Sequence, residues 1–297
     1  MNYIEFTQRA LEATRGALGE DISVELRDVQ KNNGVRLKGL VIRDPGANLS
    51  PTIYLDEFYK KYRFGASMDE IVDDILNVYD MSKITGDMDT SIITDFEKAS
   101  EYISLKLINT SRNDNMFSRV PNIPFLDLSI VFYLLIDDCN GQTGSILINN
   151  DQMNSWETDA EALFRISLAN ASKLFTPRLS TLMNLTGDLL DKSPSPHSVA
   201  PQSMYILTNA RELFGASVML YPGMMSRVRA FLGEDFYILP SSIHEVIIVP
   251  ESFAPSKKHM NDMINEVNTI EVSPEEVLSD HYYFYSIDEG RVTCAAA

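Results

Sequence analysis

Over the first forty residues the apolar positions change their period, and the change marks an element boundary. From residue 3 to 18, Ile4, Leu11 and Leu18 fall at helical spacing among small alanines, and Gly19 stands where such a helix should stop. Residues 22–29 and 35–42 then alternate apolar with polar, the period of a strand with one face in water. Asn33-Gly34 between them tolerates positive φ at both positions, as a type I′ turn demands, so the pair predicts a hairpin.

Helical spacing returns at 54–62 and again at 67–79. In the second, Ser67 and Glu70 form a capping box ahead of the stripe Ile71, Ile75 and Val78. Residues 103–108 predict a strand. Residues 126–136 are almost wholly apolar, as in a strand covered on both faces, with Asn140-Gly141 as the turn and 145–148 as the return. Helices are expected at 159–174, ended by Pro177, and at 179–190. The last hundred residues predict strands at 204–207, 216–220, 236–239, 245–249 and 281–285, with helices after Pro222 and Ser256. Pro194, Pro196 and Pro201 among serines suit neither a helix nor a central strand, so this stretch predicts an exposed linker.

The fold class these elements imply is α+β, with mixed or antiparallel sheets built from hairpins and helices packed on them. The expected division is an N-terminal unit at 1–192, a linker at 193–202 and a C-terminal unit at 203–297. Residues 145–170 and 245–268 each read as a strand, a polar connection and a helix ending near an asparagine, which hints at two related modules.

Composition adds mainly exclusions. Hydrophobic residues make up 44% and charged residues 23% of 297, which suits a folded core. Twenty-five Lys and Arg against 42 Asp and Glu give a net charge of −17, and the densest basic group is Lys60-Lys61 with Arg63. Such a surface repels polyanions, so neither nucleic acid nor an anionic membrane is an expected partner; a protein partner stays open, as does the oligomeric state. The first residues lack the basic and then apolar pattern of a secretory signal, and no apolar run matches a bilayer span; the expected location is the cytoplasm. Cys294-Ala295-Ala296-Ala297 fits a prenylation pattern, but acidic Asp288-Glu289 precedes it instead of a polybasic stretch, and an alanine-rich tail is the expected reading.

Candidate chemistry converges on one segment. His244-Glu245 is not a zinc-protease helix motif, because position 248 is Ile rather than a second His, and on a regular strand the two side chains point to opposite faces. Ser241, Ser242 and His244, with Glu245 and with Asn209 as a polar orienter, form the candidate functional patch, since serine near histidine suits nucleophilic catalysis. Against that, paired serines after Pro240 are ordinary turn chemistry, and no G-x-S-x-G elbow occurs. Asp87 and Asp89 lack the glycine and distal Glu of a calcium loop. Asp137-Asp138 with Cys139 reads as a polar hairpin tip, and Tyr282 to Tyr285 as strand packing. No phosphate loop or nucleotide fingerprint is present; no cofactor and no metal are expected.

The strings Met204-Tyr205-Ile206-Leu207-Thr208-Asn209, Gly215-Ala216 and Leu239-Pro240-Ser241-Ser242-Ile243-His244-Glu245-Val246-Ile247 resemble a bacterial family of unknown function, domain-of-unknown-function family 5688 (DUF5688), common in gut clostridia. The likeness extends to Lys31-Asn32-Asn33-Gly34, Ser50-Pro51, Phe125-Leu126-Asp127 and Asn268. It implies a bacterial source and carries no activity or residue roles. The expectation is a non-catalytic interaction or regulatory module, with a hydrolase or transferase using Ser241 to Glu245 as the rival, and strand addition at an open sheet edge as a third mode. The surroundings of His244 separate the first two.

Overall fold

The computed structural model of the chain describes residues 1–45, 50–82, 91–137, 143–182, 188–190, 204–240 and 242–294. They form two units, residues 1–92 with 137–144, and 93–136 with 145–297. In the first, helix α1 (Tyr3–Leu18) precedes an antiparallel three-stranded sheet of β1 (Ser23–Gln30), β2 (Arg36–Arg43) and β3 (Thr52–Tyr54), followed by α2 (Asp56–Arg63) and α3 (Met68–Ser82). Asn2 and Glu5 make the capping box of α1, and Ser67 and Glu70 bond each other ahead of α3. Leu11 of α1, Leu40 and Ile42 of β2, and Ile71 and Ile75 of α3 are buried as the sequence spacing predicts, whereas Ile4 and Val78 are exposed and Phe6 takes the core place on α1. The hairpin loop is wider than a two-residue turn: Lys31 N–H donates to Val35 C=O at 2.8 Å around a 3₁₀ turn at Asn32–Gly34. Asn33 (φ 58°) and Gly34 (φ 70°) both occupy the left-handed region, so the residue requirement holds although the turn type differs.

A single turn, α4 (Ser91–Thr94), leads to α5 (Phe96–Ser100) and to a sheet in which β4 (Ile103–Asn109) and β5 (Asn122–Phe125) flank β6 (Leu128–Asp137), with β7 (Thr143–Leu147) also on β6. Every residue of β6 from Leu128 to Ile136 is buried, as its unbroken hydrophobicity requires. After α6 (Asn150–Ser155) and α7 (Ala160–Leu174) comes an antiparallel six-stranded sheet in the order β13-β12-β10-β11-β9-β8. Its strands are β8 (Pro177–Thr181), β9 (Tyr205–Asn209), β10 (Phe236–Leu239), β11 (Val246–Pro250), β12 (Tyr283–Ser286) and β13 (Arg291–Cys294), with α8 (Met224–Leu232) and α9 (Lys257–Ile270) between them. The architecture is α+β with antiparallel pairing.

Three local readings change. The segment expected as a helix at 179–190 begins as strand β8, because pairing with β9 overrides helical spacing, and Pro177 sits at the first residue of an edge strand where its missing N–H costs no ladder bond. Residues 216–220 form a 3₁₀ turn, fixed where the Ser217 hydroxyl donates to the Phe214 carbonyl at 2.7 Å. Strand β13 follows a turn closed by Gly290 (φ 64°). β8 precedes and β9 follows residues 193–202, which lie outside the described residues, and the two pair from Pro177↔Asn209 to Thr181↔Tyr205, so one sheet continues across that segment. Asn140-Gly141, Cys139 and Asp87 to Asp89 also lie outside the described residues. No helix among the described residues is long and apolar enough to cross a membrane.

Candidate functional site

Strand β9 ends in Asn209, which is 1% exposed and shapes the loop that follows. Its amide donates to the Leu213 carbonyl at 2.8 Å, and its side-chain oxygen accepts from the Arg211 and Leu213 N–H groups at 3.0 and 3.4 Å. The loop needs such support, because Glu212 (φ 54°) and Phe214 (φ 52°) are both left-handed without being glycine. Asn209 is thus spent on its own loop.

The corner between β10 and β11 is stitched to two neighbours. Pro240 C=O accepts from Ser279 N–H at 3.0 Å, Ile243 N–H donates to Glu276 C=O at 2.9 Å, and Ser242 forms an isolated bridge with Val277. On the other side Ala216 N–H donates to Ile243 C=O at 3.2 Å, and the Thr208 hydroxyl donates to His244 C=O at 2.8 Å. Ser242 Oγ accepts from the main-chain N–H of His244 at 3.0 Å, a local turn bond. Ser241 lies outside the described residues.

The His244 ring is held by main chain at its Nδ1 edge and is partly exposed at Nε2. Nδ1 lies 3.2 Å from Phe214 N–H and 3.1 Å from Glu212 C=O, accepting from the first when bare and donating to the second when protonated. Nε2 lies 3.5 Å from Glu276 Oε1, and the ring stacks on Phe214 with centroids 5.6 Å apart and planes at 19°. A Ser-His-carboxylate triad places the carboxylate on one ring nitrogen and leaves the other for the nucleophile. Here the carboxylate faces Nε2 while main chain occupies Nδ1, and among the described residues no serine hydroxyl bonds the ring.

Glu245 is half-buried beside Glu212, which pairs with Arg178. Burial first, and then the charge of Glu212, hold its carboxyl above the usual carboxylate range against the pull of His244 and Arg178. The folded chain therefore binds this proton more tightly than the unfolded chain, and the associated stability is lost as pH rises through the raised value. Glu245→Gln is expected to raise the unfolding midpoint at neutral pH, with the gain shrinking toward about pH 3, where the carboxyl is protonated in both states. Thermal unfolding at the two pH values checks this.

A second polar cluster was not singled out from the sequence for chemistry. Leu126 (φ 57°) and Asp127 make the two-residue turn between β5 and β6, and Asp127 accepts from Tyr283 Oη at 2.5 Å and Ser279 Oγ at 2.6 Å. Burial, then the Asp127 charge, push the Tyr283 phenol well above its ordinary value. Residues 278–280 are held by Asn109 to Leu278 C=O, Asn268 to Ser279 C=O and Asp280, and Arg112 to Asp280. Beside this knot opens a cleft of about 420 Å³ lined by residues including Asn109, Ser111, Asp114, Asp127, Asp280 and His281. Among the described residues no three His, Cys, Asp or Glu side chains are placed to hold a metal ion.

The pattern of a family of unknown function (DUF5688) matches residues 3–287. The chain belongs to this family. No curated protein and no solved structure matches it. Of the segments that carry the resemblance to DUF5688, those in the second unit meet at the two clusters, with Thr208, Asn209, Gly215 and His244 at the corner and Asp127 and Asn268 at the polar knot, while Lys31 to Gly34 forms the β1–β2 loop. The signal for the knot was present in Phe125-Leu126-Asp127 and Asn268, but their partners Ser279 and Tyr283 lie more than a hundred residues from Asp127 in sequence.

Proposed function

We propose that this DUF5688 chain is a non-catalytic protein-interaction or regulatory module of the bacterial cytoplasm. The observation that supports the reading is the placement of His244: main chain of the Glu212–Phe214 loop occupies Nδ1, the ring stacks on a strained loop residue, and Nε2 faces Glu276 rather than a hydroxyl. Asn209 is likewise consumed by its own loop, and the Ser242 oxygen by a turn bond. A nucleophile–base pair needs a ring nitrogen within reach of the hydroxyl, and this corner uses those groups to hold main chain instead. The net charge of −17 favours a protein partner with basic character over nucleic acid or anionic lipid. The rival hydrolase or transferase reading draws support only from Glu276 beside Nε2, a histidine–carboxylate pair in the reverse of the triad order. The experiment that separates the two is the joint effect of His244→Ala on turnover and on unfolding.

A further inference from the structure

Strand β1 is an edge strand of eight residues, paired without a bulge from Ser23↔Arg43 to Gln30↔Arg36. Long, regular edges invite a further strand, and proteins blunt them with proline, shortness, bulges or cover. Among the described residues the other edges follow that rule. β3 has three residues, β13 four and β7 five, β5 carries Pro124 and β8 begins at Pro177, and β4 is buried along nearly its whole length. β1 has no proline and no bulge over its eight residues; what guards it is the charge of Glu25, Arg27 and Asp28 and, at one end, the Arg15 guanidinium over the Val24 carbonyl.

The phase of its backbone is fixed by the hairpin. Lys31 N–H bonds Val35 C=O, so the residues at 29, 27, 25 and 23 bond to β2, and those at 28, 26 and 24 turn their N–H and C=O outward. The Arg15 guanidinium confirms the phase by bonding the outward Val24 carbonyl at 2.6 and 2.9 Å. Beside this end of the strand runs an open groove of about 750 Å³, where Gly16 and Gly19 present no side chain and a Cβ at either would meet nothing within 4 Å.

The strand is complementary to itself. In an antiparallel pairing about a two-fold axis at Leu26, Leu26 faces Leu26 of the second copy as an outward hydrogen-bonded pair, and Asp28 comes opposite Val24, whose carbonyl it reaches only when the Arg15 guanidinium moves off it. Glu25 then faces Arg27 of the second copy, twice, at the closer non-hydrogen-bonded positions. Both side chains are available, at 44% and 55% exposed, and within one strand they already bond each other at 2.7 Å. The neighbouring registers are disfavoured: one sets Glu25 against Glu25, the other Arg27 against Arg27. We infer that β1 is a self-association edge, on which a second copy of this chain pairs antiparallel through Leu26 to make a continuous six-stranded sheet. This inference rests on β1 alone, so a monomeric chain would leave the reading of the His244 corner standing.

Charge exchange tests it on the full chain. Sedimentation across a concentration series is expected to show a monomer–dimer equilibrium, with Glu25→Arg and Arg27→Glu each weakening the dimer by about tenfold, since two cross-strand pairs turn repulsive. An equimolar mixture of the two variants restores every opposite-charge pair and is expected to recover dimerisation as a heterodimer. Circular dichroism of each variant establishes that the fold persists, and amide exchange at Leu26 and Asp28 should slow as concentration rises. A wild-type chain that stays monomeric to its solubility limit, a dimer indifferent to both single changes, or a mixture without recovery would overturn the inference.

Discussion

Gly215→Ala is expected to destabilise the second unit by about 3 kcal/mol or more, the cost of overpacking a site that has no way to relax. A Cβ at this position would stand 2.1 Å from Thr208 Oγ1, 2.3 Å from the His244 carbonyl oxygen and 3.0 Å from Asn209 N. Thr208 could rotate, but only by giving up its bond to the His244 carbonyl. The other two atoms are main chain, so β9 and the β10–β11 corner would have to separate. Thr208→Ala in the same chain should therefore fail to rescue the variant. Trp156 is the only tryptophan and lies in the core of the second unit, so its fluorescence during urea unfolding reports the change where it occurs.

The second large effect is expected at Asp127. Its carboxylate accepts from two hydroxyls whose residues, Ser279 and Tyr283, are both 0% exposed. Asp127→Ala strips an acceptor from each and leaves the Tyr283 phenol buried without its carboxylate, at a cost of about 3–5 kcal/mol for two charge-assisted bonds. Asp127→Asn keeps one good acceptor and should lose roughly half as much. The same Trp156-monitored urea titration measures both, and an alanine variant as stable as the wild type would remove the knot from the account.

The elements were legible where one local cause decided them. The Ser67 cap, the β1–β2 hairpin and the two-sided burial of β6 follow from residue spacing alone. The strand at 177–181 was not, because its partner β9 supplies the pairing that decides its state. The 3₁₀ turn at 215–220 follows from a serine hydroxyl bonding back to Phe214, which competes with strand pairing and leaves no periodic trace. At the corner the residue types were readable, but their roles depend on a neighbour: His244 faces the Glu212–Phe214 loop, whose left-handed residues no propensity argument places there. Asp127 reads locally as a turn aspartate, and only the fold brings Tyr283 to it.

The central claim is that the Pro240 to Glu245 corner holds main chain instead of performing chemistry. The most direct test is His244→Ala, with thermal unfolding and hydrolysis of ester, phosphoester and amide probes measured on the same preparation. Losing the ring bond to the Glu212–Phe214 main chain and the stack on Phe214 should cost about 2 kcal/mol, which lowers the unfolding midpoint by about 5 °C. The expected result is that fall, with no turnover in the wild type for the variant to lose. A measurable wild-type turnover abolished by His244→Ala at an unchanged midpoint would contradict it.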